Sequence, residues 1–207
     1  HYMPEILEAV FIAREKGLKV PLVYNCGGYE SMEALDILDG IIDIYMPDMK
    51  YSDDAPAKKY SNAPDYFEIN KIAVKEMYRQ VGDLKMHRGI VSKGILIRHL
   101  VLPENLAGSQ KIFEFIAREL SPDTYVNIMA QYYPCHLVGN RHACSLQKFP
   151  EIDRRITARE YIEAIRLAEK TGLKNGFRQI MSTIKRKRIP EWTDNLKTTL
   201  QTDNQAV

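Results

Sequence analysis

Three groups of residues have the types and spacing to do chemistry. The first is Asp48 and Lys50, two apart in Met46-Pro47-Asp48-Met49-Lys50. An acid there accepts from ribose hydroxyls or an ammonium group, and a lysine meets a carboxylate. The plainer alternative is an exposed ion pair in a turn. The second group is Arg98-His99, inside the apolar run Ile95-Leu96-Ile97-Arg98-His99-Leu100-Val101-Leu102. Consecutive strand residues point to opposite faces, so one of the pair faces a pocket or sheet interior and the other the helix layer. A buried guanidinium must be paired. Its partner is either a ligand carboxylate or phosphate, or a protein carboxylate such as Asp48.

The third group is Cys135-His136 with His142 and Cys144, four ligand-type side chains that invite zinc. The spacing C-H-x5-H-x-C is not a familiar ligand pattern, and adjacent Cys135 and His136 would struggle to reach one tetrahedral ion. Ordinary loop residues are the favoured reading, with His136 alone kept as a pocket candidate. Cys26, in Asn25-Cys26-Gly27-Gly28, has no adjacent base and reads as a small packed residue. The paired glycines after it permit φ > 0 and close backbone approach to a ligand.

These residues need elements to position them, and the chain alternates regularly. Pro4 to Gly17 reads as an amphipathic helix, with Pro4 in the first turn, Gly17 at C′, and Ile6, Leu7, Val10, Phe11 and Ala13 as its stripe. Strands are expected over 19–25, 41–46, 92–102 and 125–130, with a short last one near 177–180. Helices are expected over 31–38, 53–60, 65–81, 109–120 and 157–171. Ser31 and Thr157 serve as N-caps, and Glu160 completes a capping box. In the helix 65–81, the inward residues are expected to be Ile69, Ile72, Ala73, Met77 and Tyr78. Residues 131–156 form an irregular stretch too long for an inert connector. Such β-α alternation implies parallel pairing with right-handed crossovers, and sites that gather at the strands' C-terminal ends.

Composition narrows the class. The 207 residues are 45% apolar and 27% charged, as in a soluble globular protein. No apolar run is long enough to span a membrane, and no signal-peptide pattern is present. Twenty-nine basic against 27 acidic residues give +2, which does not suggest nucleic acid as a partner. Three dispersed cysteines fit a reducing compartment, hence a cytoplasmic location. The run Lys185-Arg186-Lys187-Arg188 reads as a solvated helix end.

Taken in order, Val23-Tyr24-Asn25-Cys26-Gly27-Gly28-Tyr29-Glu30, Asp43-Ile44-Tyr45-Met46-Pro47-Asp48-Met49-Lys50, Ile97-Arg98-His99-Leu100-Val101-Leu102-Pro103 and Met129-Ala130-Gln131-Tyr132-Tyr133-Pro134 resemble segments of the radical S-adenosylmethionine (radical SAM) superfamily. The similarity is to iron–sulfur proteins related to pyruvate formate-lyase activating enzyme, and covers residues 2 to 180. It implies an α/β fold, a partial, TIM-like (β/α)6 barrel over residues 1–183 represented by four parallel strands and lacking the cluster-binding repeats. Residues 184–207 would then be a polar C-terminal tail. The chain would begin inside a β-α repeat, on a helix with no strand before it.

The same resemblance implies an S-adenosylmethionine and substrate pocket contacted by Asn25, Asp48, Lys50, Arg98 and His136. Neither the family's CxxxCxxC ligands for a [4Fe–4S] cluster nor its Gly-Gly-Glu segment occurs here, so Cys26, Cys135 and Cys144 are not cluster ligands. Asn25 stands near the family's third-strand polar residue, although Cys26-Gly27-Gly28 departs from the usual threonine-asparagine-glycine. The implied activity of the whole protein is reductive cleavage of S-adenosylmethionine to a 5′-deoxyadenosyl radical, with the present chain alone inactive. Implied partners are a glycyl-radical enzyme or other protein substrate and an electron donor such as flavodoxin or ferredoxin. Open strand edges suggest self-association. Two alternatives from the residues alone are a (β/α) barrel enzyme gripping an anionic substrate through Arg98 and Lys50, and a non-enzymatic Cys/His metal-loop module.

Overall fold

The computed structural model describes residues 2–134 and 149–178 and the backbone of Glu191 and Trp192. Five strands run parallel: β1 (Val23–Cys26), β2 (Ile44–Pro47), β4 (Ile90–Leu100), β5 (Tyr125–Met129) and β6 (Gly176–Arg178). They lie in the sheet in chain order, β1-β2-β4-β5-β6. Two antiparallel strands are added, β3 (Lys85–His87) against β4 and β7 (Glu191–Trp192) against β6. Among the described residues β1 is an edge strand.

Helix α1 (Met3–Glu15) precedes β1, and the helices between the parallel strands are α2 (Met32–Leu38), α3 (Asp54–Ser61), α4 (Tyr66–Val81), α5 (Ser109–Phe115) and α6 (Ala158–Lys170). The last turn after α5, Ile116–Leu120, is π-helical. A strand order that never reverses, joined by right-handed crossovers, puts the connecting helices on one face of the sheet. Packing of α2 on α4, of α4 on the π turn, and of α5 on α6 builds that layer. No described helix is long and apolar enough to cross a membrane.

Period-two burial in the strands sets the two faces apart. On the helix side Tyr45, Ile95, Ile97 and His99 are fully covered and share a core with Leu35, Leu38, Met77 and Phe113. Burying each large apolar side chain there contributes roughly 1.5–3 kcal/mol, so this face drives folding. The opposite face carries Met46, Leu96, Arg98, Leu100, Tyr125 and Asn127, all only half-buried.

The expected local signals recur: Ser31 and Thr157 cap their helices, with the Thr157–Glu160 capping box complete. Several expectations need correction. The short strand expected near 177 is present as β6 and pairs parallel, so the parallel strands number five rather than four. A hairpin turning at Arg88-Gly89, both with positive φ, precedes β4 and moves its start to Ile90. Paired left-handed residues match the right-handed strand twist, so that dipeptide was the available hairpin signal. The buried stripe of α4 runs Tyr66, Asn70, Ala73, Val74, Met77 and Val81, leaving Ile72 53% exposed. Ile72 falls outside the i, i+3, i+4, i+7 progression that starts at Tyr66. On α1, Met3 and Leu7 touch the core while Phe11 is 64% exposed. Two residues of the expected polar tail, Glu191 and Trp192, form β7.

Gly94 is the tight point of the sheet. Its φ is +120°, and a Cβ there would run into the backbone of Asp83 and Leu84, where the chain leaving α4 crosses β4. Gly89, also at positive φ, faces open space. Gly94→Ala should therefore cost about 3 kcal/mol against about 1 kcal/mol for Gly89→Ala. Urea unfolding midpoints will read the difference, and equal losses would contradict the close crossing.

Candidate functional site

Main-chain bonds carry the parallel pairing one step beyond β1 and β2. Asp48 N donates to Cys26 O at 3.1 Å and Met49 N donates to Arg98 O at 2.9 Å. Asp48 and Arg98 thereby sit side by side in a parallel bridge. By strand parity both side chains leave the face away from the helices. There Asp48 Oδ1 accepts from Arg98 Nε at 2.7 Å and lies 2.6 Å from its Nη2 in the ion pair, and Oδ2 accepts from Lys50 Nζ at 2.6 Å. One carboxylate thus serves two cations and leaves a local excess of one positive charge. Arg98 Nη1 and two of the three Lys50 N–H groups remain outside these bonds, so both cations can still donate to a bound anion or hydroxyl.

The backbone beneath is fixed by α4. Asn70, fully buried, donates from Nδ2 to Gly28 O at 2.7 Å and Asp48 O at 3.0 Å. Tyr66 accepts from Lys50 N at 3.0 Å through its hydroxyl, whose proton points toward the Gly27 and Asp48 carbonyls. Tyr29 stacks on that ring at 5.8 Å between centroids. Gly28 has φ +73°, and a Cβ there would collide with Asn70 Nδ2 and the Asp48 carbonyl. The Gly27-Gly28 pair therefore lets the β1 exit lie flat on the β2 exit, with Lys50 Nζ above Gly27.

The structure brings together Asp48, Lys50 and Arg98, and the protein carboxylate considered as a partner for Arg98 is indeed Asp48. Asn25 lies on the same face, opposite Met46 in register, but is exposed and has no side-chain hydrogen bond to that trio. Cys26 is half-buried; burial first, then the nearby Glu30 and Asp48 charges, push its thiol up to about 12. It stays protonated at neutral pH, as a packing residue would. His136 lies outside the described residues, as do Cys135, His142, Cys144 and the Lys185–Arg188 run. Among the described residues, no group of three or more His, Cys, Asp or Glu could hold a metal.

His99 points the other way, into the helix layer, and is fully buried. Its Nδ1 is 2.8 Å from Met49 O and its Nε2 is 2.9 Å from Ser109 Oγ. A carbonyl only accepts, so Nδ1 carries the proton and Nε2 accepts from the serine. A cavity of about 510 Å³ between α5 and α6 reaches Ser109, but it opens on this helix side, away from Asp48. Residues missed from the sequence are Tyr66, Asn70 and Asn127. The strand partner of Arg98 is Asn127, whose Oδ1 is buried without a hydrogen-bond partner. A polar amide inside a buried helical stripe (Asn70) or an apolar strand (Asn127) was the signal available.

No family model matches the chain. It is 32% identical over 155 residues to an uncharacterised protein of Methanocaldococcus jannaschii, a match covering 74% of this chain. The chain spans 39% of the length of that relative.

Burial lowers the pKa of His99 to about 4, against the opposing pull of the Met49 hydrogen bond. The unfolded value is about 6.5, so between the two only the unfolded chain binds the proton. Stability contributed by neutral His99 should be full above about pH 6.5 and fall by on the order of 3 kcal/mol as pH drops to 4. Unfolding free energies at pH 7 and 4.5 should fall less in His99→Gln than in the wild type; identical slopes would refute the assignment.

Proposed function

We propose that the chain forms part of a radical S-adenosylmethionine protein and supplies the cofactor- and substrate-facing side of a partial, TIM-like (β/α) barrel. Within that class the reading favours a protein related to pyruvate formate-lyase activating enzyme, acting on a glycyl-radical enzyme or another protein substrate. The observation that carries it is the convergence of Asp48, Lys50 and Arg98 at adjacent C-terminal strand ends. Five parallel strands in unbroken order, with helices on one face, support the barrel reading.

The described residues do not fit a [4Fe–4S] cluster, since Cys26 is the one described cysteine and a single thiolate cannot supply the cluster's ligands. In this proposal the cluster, and docking of a flavodoxin- or ferredoxin-like donor, belong to other parts of the whole protein. S-adenosylmethionine, when bound, supplies the reductive cleavage chemistry of the class. This chain's residues do the holding. Lys50 Nζ and Arg98 Nη1 orient an anionic or hydroxyl-bearing end of the ligand, and Asp48 keeps both cations pointed at it. The buried unmatched acceptor of Asn127 on the same face fits a polar ligand. Holding the pairs at strand ends, rather than on loops, limits their motion and so the positions open to a reactive group.

Calorimetric titration of the chain with S-adenosylhomocysteine should show binding. Lys50→Ala and Arg98→Lys should each weaken it by about 1.5–3 kcal/mol, the range for a charge-assisted hydrogen bond. The full-length protein, reconstituted with iron and sulfide and reduced, should release 5′-deoxyadenosine, and the 207-residue chain should not. Binding of inorganic phosphate but of no nucleoside would instead support an enzyme gripping an anionic substrate through Arg98 and Lys50.

A further inference from the structure

We infer that Asn127 is a ligand-contacting residue, and that its Oδ1 accepts a hydrogen bond from a hydroxyl of a sugar-like part of the bound molecule. The inference rests on taking the face away from the helices as the ligand-binding face. Along β5, Val126, Ile128 and Ala130 pack into the helix-side core. Asn127 therefore points to the other face, as Arg98, its register partner on β4, does. Phe177 on β6 is its register partner on the far side, so Asn127 occupies the middle of the sheet.

No described residue donates to the Asn127 side-chain oxygen. Asparagine is disfavoured in strands, and a valine would suit both the pleat and the burial. The Oδ1 atom is buried and has no hydrogen-bond partner, an arrangement that costs stability unless something else donates to it. Local rules broken in this way are expected where a residue serves a ligand. A second buried orphan, Asn70 Oδ1, differs because the Asn70 amide nitrogen already ties two strand exits together.

The chemistry of the neighbourhood selects the donor. Oδ1 can only accept, so the incoming group must carry a proton. An ammonium would sit beside the Arg98 guanidinium and be repelled. A neutral hydroxyl meets the acceptor without that penalty, and neighbouring hydroxyls of the same ring can reach the free donors of Arg98 and Lys50. The ligand class is thus a nucleoside or another molecule with a vicinal diol, which S-adenosylmethionine satisfies.

Wild-type chain and Asn127→Val are titrated with S-adenosylhomocysteine, adenosine and 2′,3′-dideoxyadenosine, and their melting temperatures are measured without ligand. The expected result is at least tenfold weaker binding of the two hydroxylated probes by Asn127→Val. The variant should melt at the same temperature as the wild type or higher. The dideoxy probe should bind both proteins alike, because it offers no hydroxyl to lose. Unchanged affinity for the hydroxylated probes in Asn127→Val would overturn the inference while leaving the proposed function standing. A melting temperature several degrees lower would overturn it too, by making Asn127 a structural residue. Wild-type chain that binds none of the three probes would remove the S-adenosylmethionine reading, and this inference with it.

Discussion

A single carboxylate between two cations organises the exposed end of this sheet. Asp48 is bound through its backbone to Cys26 on one side and paired with Arg98 on the other, while its two oxygens hold Arg98 and Lys50. A guanidinium half out of water on an apolar strand needs such a partner, and a parallel bridge supplies it at fixed distance. The pair is not a simple neutralisation. Two positive groups share one negative one, so the strand ends keep a positive excess and free donors where a ligand can reach them.

The two faces of the sheet have been given different work. The helix side is dry and filled with large apolar groups, and its histidine, His99, is kept neutral by burial. The other side is half wet and holds polar groups whose hydrogen bonding is incomplete. A parallel strand buried on one side only can carry both through its alternation, so Arg98 and His99 serve opposite purposes from adjacent positions. Stability comes from the first face, and the second can carry the burden of an unmatched acceptor at Asn127.

Support for the site comes from below rather than beside it. Tyr66 and Asn70, one turn apart on α4, bind the carbonyls of Gly27, Gly28 and Asp48. The helix thus joins the β1 and β2 exits as it packs beneath them, and Gly28 permits the close contact. At the other extreme, α1 and the β1 edge expose Phe11, Val20 and Val23. The packing is therefore densest around β2, β4 and α4, where the charged trio sits.

Much of this was legible in the residues. Period-two and period-3.6 patterns, caps such as Ser31 and Thr157, and glycines at helix ends are local features that act within a few residues, so they identify strands, helices and the alternation of Arg98 with His99. The segments carrying Asp48, Lys50 and Arg98 could likewise be placed at strand ends. Which cation Asp48 would bind, that Asn25 would stay apart, and that Asn70 and the Asn127 side-chain oxygen would be buried depended on register between strands 20 to 50 positions distant in the chain. Register is decided by how whole elements pack against one another. The sequence by itself therefore determined the elements and their faces, while the tertiary structure alone decided which polar atoms meet and which are left without a partner.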